Sequence, residues 1–276
     1  MLKLEHTEVV GWEAAIRGMR NPHNSWEKSD TKFYDESPEY WYEDCPDIGP
    51  NDLDLMKRLR NAGTDHRKFM RMITVYVTIT APLYWWKEFD TYQVGVVKNS
   101  CSTMHKIAAK EFTLEDFSCE HLIDYDLYSC DEVDEPVING APHIGCGGLQ
   151  LLNLTINVLN YYRNKYLETK DKKYWWQMIQ LLPSSYNQRR TVMMNYEVLA
   201  NIYKSRKDHK LDEWRELCKW IEDLPYSELI TRSTLKDIPI CHEIMEEAKR
   251  RVREELISQE TVSSEELHTE LKKLED

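Results

Sequence analysis

The stretch LYWWKEFD, residues 83–90, sets three aromatic rings, Tyr84, Trp85 and Trp86, directly before Lys87, Glu88 and Asp90. Such rings can stack on a flat heterocycle, and a neighbouring cation can hold an anion. They can equally be core packed beneath a sheet. A second trio recurs at Tyr174, Trp175 and Trp176. A second chemical group lies in LPSSYNQRRTVMMNYEVLANIYKSR, residues 182–206, where Arg189 and Arg190 precede Asn195, Asn201 and Arg206. Read as a helix over 191–207, this segment projects Asn195 and Arg206 from nearly one face, about 16 Å apart along the axis. That separation suits one extended ligand or two side by side, and the arginine fork suits phosphate. The same asparagines also fit as ordinary polar positions of an amphipathic helix with Val192, Tyr196, Leu199 and Tyr203 as its core side.

The elements that must position these groups show in the hydrophobic pattern. Val9, Trp12, Ala15, Ile16 and Met19 recur at helical spacing over 8–20. Residues 21–50 carry turn signals and read as an irregular loop. Residues 49–63 predict a helix, with Asn51 or Asp52 as cap, Leu55 and Leu59 on one face and Gly63 as its stop. RMITVYVTIT at 71–80 alternates β-branched and polar positions and is the strongest strand. Pro82 ends it or starts the next element. QVGVV at 93–97 reads as a short strand or as a loop on the core. Residues 111–147, acidic between Asp124 and Glu135, read as an excursion with little regular structure after Leu127. Helices follow over 148–169, 171–181, 191–207 and 210–223. Two units result: a domain over 1–241, and a charged helical tail over 242–276.

Composition narrows the function classes. The chain has 276 residues, 41% of them hydrophobic, and a net charge of −12. Coating duplex nucleic acid or an anionic membrane calls for excess Lys and Arg, so neither is expected as a partner. No apolar run reaches membrane-spanning length. The N-terminal stretch carries charges throughout, without an apolar signal core, so a soluble, cytoplasmic protein is expected. The seven cysteines are scattered and form no C-x-x-C, and no metal site is expected. HIGCGG at 143–148 reads as a loop with a reduced thiol, not as a dinucleotide fingerprint.

In order along residues 10 to 230, the matched pieces resemble the flavin-dependent thymidylate synthase family. Counted from Pro183, the positions of Asn195, Leu199, Asn201 and Arg206 are similar to that family's spacing, and Arg189 falls on its arginine before the helix. AAIRGMRNPHNS at 14–25 resembles its early Ala-Ala-Arg helix, and Asp65–His66 stands where it has Glu-His. Its signature Arg-His-Arg becomes Lys87, Glu88 and Phe89 here. NSCSTMH, with Asn99, Ser100 and Ser102, occupies the following loop, where Met104 and His105 replace Arg-Tyr. Glu197 and Ile179 replace two further family arginines.

The resemblance implies an α+β fold with a bent antiparallel sheet and a helical C-terminal half, working as a homotetramer with sites between subunits. It implies reductive methylation of dUMP to dTMP, with FAD as cofactor and NADPH and methylenetetrahydrofolate as co-substrates, or a pyrimidine-nucleotide variant of that reaction. Carried over position by position, it implies catalytic roles for Lys87, Glu88 and Ser102. Flavin contacts fall to His66, Asn99, Arg189, Asn195 and Asn201, and substrate contacts to Ser100, Arg190 and Arg206. Lys204 and Lys207 are further cations that can replace those lost. Glu88 adds negative charge where the family is basic, unless it is protonated or paired with Lys87 or Arg206. The alternative is a non-catalytic scaffold that kept the fold and lost the flavin chemistry.

Overall fold

A computed structural model of the chain describes residues 2–33, 45–123 and 147–231. The acidic stretch 124–135, the Cys–His pair of HIGCGG and the tail 242–276 lie outside the described residues. The elements in chain order are β1 (Lys3–Val10), α1 (Trp12–Arg20), α2 (Pro50–Asn61), β2 (Thr74–Pro82), α3 (Leu83–Phe89), β3 (Val97–Ser100), α4 (Gly148–Thr169), α5 (Lys172–Leu181), β4 (Asn187–Asn195), α6 (Tyr196–Arg206), α7 (Asp212–Glu222) and α8 (Glu228–Thr231).

The four strands form one antiparallel sheet in the order β1-β2-β4-β3. The expected α+β class holds. Three local expectations do not. The run 191–207 is not one helix: residues up to Asn195 form β4, paired on one edge with β2 and on the other with β3. Met193 and Met194 are good helix formers, but pairing on both edges decides the outcome. Residues 8–10 likewise belong to β1, and the helix begins only at Trp12. The turn between them is Gly11 at φ +92°, where an added Cβ would lie 2.2 Å from the Met72 carbonyl oxygen. A third difference concerns α2. Its cap is Gly49, while Asp52 is fully buried and accepts from Arg20 Nε at 2.6 Å, from Ser29 and from Thr31. Burial pushes the Asp52 carboxyl up, but these bonds outweigh it and hold it below the usual carboxylate range.

The strand period sorts the sheet's two faces. Val75, Val77, Ile79 and Ala81 of β2, with Val192 and Met194 of β4, are fully buried in the main core. Trp12, Ile16, Trp85, Trp86, Phe89, Leu199, Ile202 and Trp214 pack in that core from α1, α3, α6 and α7. On the alternate positions Tyr76 and Thr191 are exposed. A second, smaller core joins α4 and α5 to residues 107–117 through Leu152, Ile156, Leu159, Met178, Ile107, Phe112 and Phe117. The part of the 111–147 excursion that is described is therefore packed rather than free.

Candidate functional site

The start of α3 is fixed by its neighbours. Pro82 sits at the cap with extended backbone, needs no hydrogen bond of its own and leaves the first helical N–H groups open. Leu83 N donates to the Tyr186 carbonyl at 3.0 Å and Tyr84 N to that of Ser184 at 2.9 Å. Trp85 and Trp86 then point into the core, 0% and 1% exposed. Trp86 Nε1 donates to the Gln188 carbonyl at 2.9 Å, while Trp85 Nε1 has no hydrogen-bond partner among the described residues. These two rings are core and offer no open face to a planar ligand.

Lys87 is exposed on the opposite side of α3, and Glu88 beside it is half-buried. Glu88 Oε2 accepts from Arg206 Nη1 at 2.9 Å and from Trp214 Nε1 at 2.9 Å, with His209 Nε2 3.6 Å away. Arg206 also donates from Nε to the Tyr92 hydroxyl at 3.1 Å, and its guanidinium carbon lies 4.5 Å from the Trp214 ring centroid. Leu211 N donates to His209 Nδ1 at 3.2 Å, which assigns the proton of the neutral imidazole to Nε2, the nitrogen facing Glu88. Of the two partners weighed for Glu88, the fold selects Arg206 over Lys87. Tyr92, His209 and Trp214 complete the group and were not legible in advance. Trp214 gives one signal, a lone aromatic in the charged run LDEWRE.

Arg190, Lys98 and Asp90 form a second charged group against the rings of α3. Arg190 donates from Nη1 to Asp90 Oδ1 at 2.8 Å and from Nε to Gln188 Oε1 at 3.0 Å, and lies 4.1 Å over the Trp86 ring. Lys98 Nζ reaches the same Asp90 oxygen at 3.0 Å. Burial raises the Asp90 carboxyl, but Lys98 and Arg190 outweigh that and hold it low. Arg190 is thus occupied within the fold. Glu197, standing where the resemblance has an arginine, is bound by Arg67 Nε at 2.9 Å and by Arg71, and ties the turn Arg67–Arg71 to α6.

The remaining candidates are spread over the surface. Asn195 ends β4 and caps α6, its Oδ1 accepting from Val198 N at 3.0 Å, so it does not share a helix face with Arg206. Gly95, at φ +75°, packs against it, and an added Cβ would meet Asn195 Nδ2 at 3.0 Å. Asn99 is exposed on β3 opposite Thr191, and Arg189 lies two residues along β4 on the same face, half-exposed and 3.6 Å from Glu5. Ser100 is exposed opposite Arg190. The Ser102 hydroxyl accepts from Met104 N at 3.2 Å and His105 N at 2.9 Å, closing a local turn. His66 is exposed ahead of the Arg67–Arg71 turn. Asn201 lines a separate cavity of about 230 Å³ on α6 with Arg67, Lys204 and Lys207.

For a flavin, the polar strip Asn99, Thr191 and Arg189 supplies donors and a cation for ribityl and phosphate groups. The buried tryptophans supply no ring-stacking surface. Burial raises the thiols of Cys45 to about 12 and Cys218 to about 11, so neither is a thiolate nucleophile. Among the described residues, no group of His, Cys, Asp and Glu could hold a metal, and no helix is long and apolar enough to cross a membrane.

No protein-family model and no curated protein sequence matches the chain. Solved structures do. A flavin-dependent thymidylate synthase ThyX from Helicobacter pylori, complexed with FAD and dUMP, superposes with a TM-score of 0.53 at 16% identity, over 83% of this chain and 96% of that one. A UMP/dUMP methylase PolB from Streptomyces cacaoi, bound with 5-Br dUMP, gives 0.50 at 13% identity, over 84% and 94%. The fold is therefore that of the flavin-dependent thymidylate synthases. At these identities the likeness concerns the fold.

Proposed function

We propose that the chain is a pyrimidine-nucleotide-methylating relative of the flavin-dependent thymidylate synthases. Its reaction is the reductive methylation of dUMP to dTMP with methylenetetrahydrofolate, FAD and NADPH, or a pyrimidine-nucleotide variant of it. One observation carries this reading. Glu88 and Arg206, 118 residues apart, stand on the two segments that resemble the family's signature, and they meet at 2.9 Å in a half-exposed charged group. The same fold in a ThyX complexed with FAD and dUMP and in a UMP/dUMP methylase supports the reading. FAD, when bound, carries the hydride. The chain's residues bind and orient, with Asn99 and Arg189 toward the cofactor and Ser100, Glu88 and Arg206 toward the nucleotide. A homotetramer in the cytoplasm belongs to the same reading.

The test is direct. The purified full-length protein should show flavin absorbance, release FAD on denaturation, and oxidise NADPH only when dUMP and methylenetetrahydrofolate are both present. Light scattering after size exclusion should give four chains. One observation favours the non-catalytic alternative: Arg190, which the resemblance gives to the substrate, is engaged by Asp90 of the chain itself. A colourless, nucleotide-free protein that takes up no FAD would decide for the scaffold.

A further inference from the structure

Arg206 commits two of its five N–H donors among the described residues. Nε donates to Tyr92 and Nη1 to Glu88, and one face of the guanidinium lies on Trp214. Among the described residues, Nη2 has no hydrogen-bond partner. Glu88 is divided in the same way. Oε2 collects Arg206, Trp214 and the approach of His209, while Oε1 has no partner among the described residues. Glu88 and Arg206 are 38% and 19% exposed at their side chains, so the pair is held from the protein side and open on the other. What it presents is an acceptor beside a donor, with no net charge.

We propose that Glu88 makes this a specificity element that reads a neutral amide-type edge of a pyrimidine ring and gives no preference to a phosphate. A phosphate dianion set against Arg206 would also lie within a few ångströms of the Glu88 carboxylate, which cancels the Coulomb attraction at short range. A ring edge carrying N–H beside a carbonyl, or an amino group beside a ring nitrogen, satisfies both open atoms without charge. The inference rests on the proposed nucleotide function and deepens it. It assigns the base, not the phosphate, to the Glu88–Arg206 end of the ligand.

The experiment is calorimetric titration of the full-length protein with 2′-deoxyuridine and with dUMP, for wild type, Glu88→Gln and Arg206→Gln, with thermal melts to confirm that each variant folds. Wild type should bind the two ligands within about threefold of each other. Glu88→Gln keeps an acceptor but uncovers the Arg206 charge, so its preference for dUMP over deoxyuridine should rise about tenfold and fall again with salt. Arg206→Gln should weaken both ligands alike. An unchanged preference in Glu88→Gln overturns the proposal. So does a selective loss of dUMP in Arg206→Gln, which would make Arg206 a phosphate ligand. Either result with FAD and nucleotide still bound leaves the proposed function standing. Failure of wild type to bind flavin, deoxyuridine or dUMP overturns the function and the inference together.

Discussion

The chain contains the aromatic trio Tyr-Trp-Trp twice, and the two copies have opposite fates. In α3, Trp85 and Trp86 are sealed between sheet and helices, with Trp85 and Phe89 stacked at 4.9 Å and Trp214 packed on both. In α5, Trp175 is partly buried and Trp176 is 43% exposed, with Lys172 lying over both rings. The difference is in what surrounds each helix. The first trio sits where α3 meets β4 and α7. The second lies on a helical pair whose own core is small. A tripeptide therefore does not determine whether rings are core or surface. The number of layers folded over it does.

The widest gap should come from truncation. Trp85→Ala removes a large, fully buried ring and should cost about 3–5 kcal/mol in urea unfolding, or leave the chain unfolded. Acid should come next, and chiefly from the first region, because the lowered carboxylate of the second, Asp171 at the start of α5, is exposed. Asp90 anchors Arg190 over Trp86 and its folded pKa is lowered; those of Asp52 and Glu197 are lowered too. A carboxylate with a lowered folded pKa contributes stability that is complete above the ordinary value of about 4 and is lost as pH falls through the folded value. The melting temperature should accordingly hold steady above about pH 5 and drop below about pH 4. A flat profile down to pH 3 would remove these pairs from the stability of the first region.

A smaller effect is expected in the second trio. Trp175 Nε1 donates to the Met104 carbonyl at 3.0 Å, so Trp175→Phe should cost about 1 kcal/mol, measured in the same urea series. Trp176→Ala should change stability by less than about 0.5 kcal/mol while removing much of the iodide-quenchable fluorescence. If Trp176→Ala proves as costly as Trp85→Ala, the surface around α5 is covered in solution and the contrast fails.

Legibility followed how local each cause was. α2 and β2 could be read because their periodicity is contained in their own residues. α4, α5 and α7 were likewise visible as apolar repeats. β4 could not be read, because TVMMN runs straight into YEVLANIY and both halves suit a helix; only the ladders to β2 and β3 make the first half a strand. β1 was hidden for a related reason. Its register shifts between Glu5 and Glu8, with His6 at φ 53°, and that irregularity breaks the alternation. At the site, Glu88 and Arg206 were visible as residues, and their pairing was one of two options. Tyr92, His209 and Trp214 act through position alone, which no spacing in the sequence encodes.

The strand order carries one further consequence, for how the chain is made. β2 lies between β1 and β4, and all of residues 83–186 must be synthesised before β4 can meet it. Until then one edge of the most β-prone segment in the chain stands open, its backbone N–H and C=O groups on that side without the β4 ladder. The central ladder is therefore a late and distant closure, so folding should be slow for a chain of this size, and yield during expression should depend on what shields β2 on the ribosome.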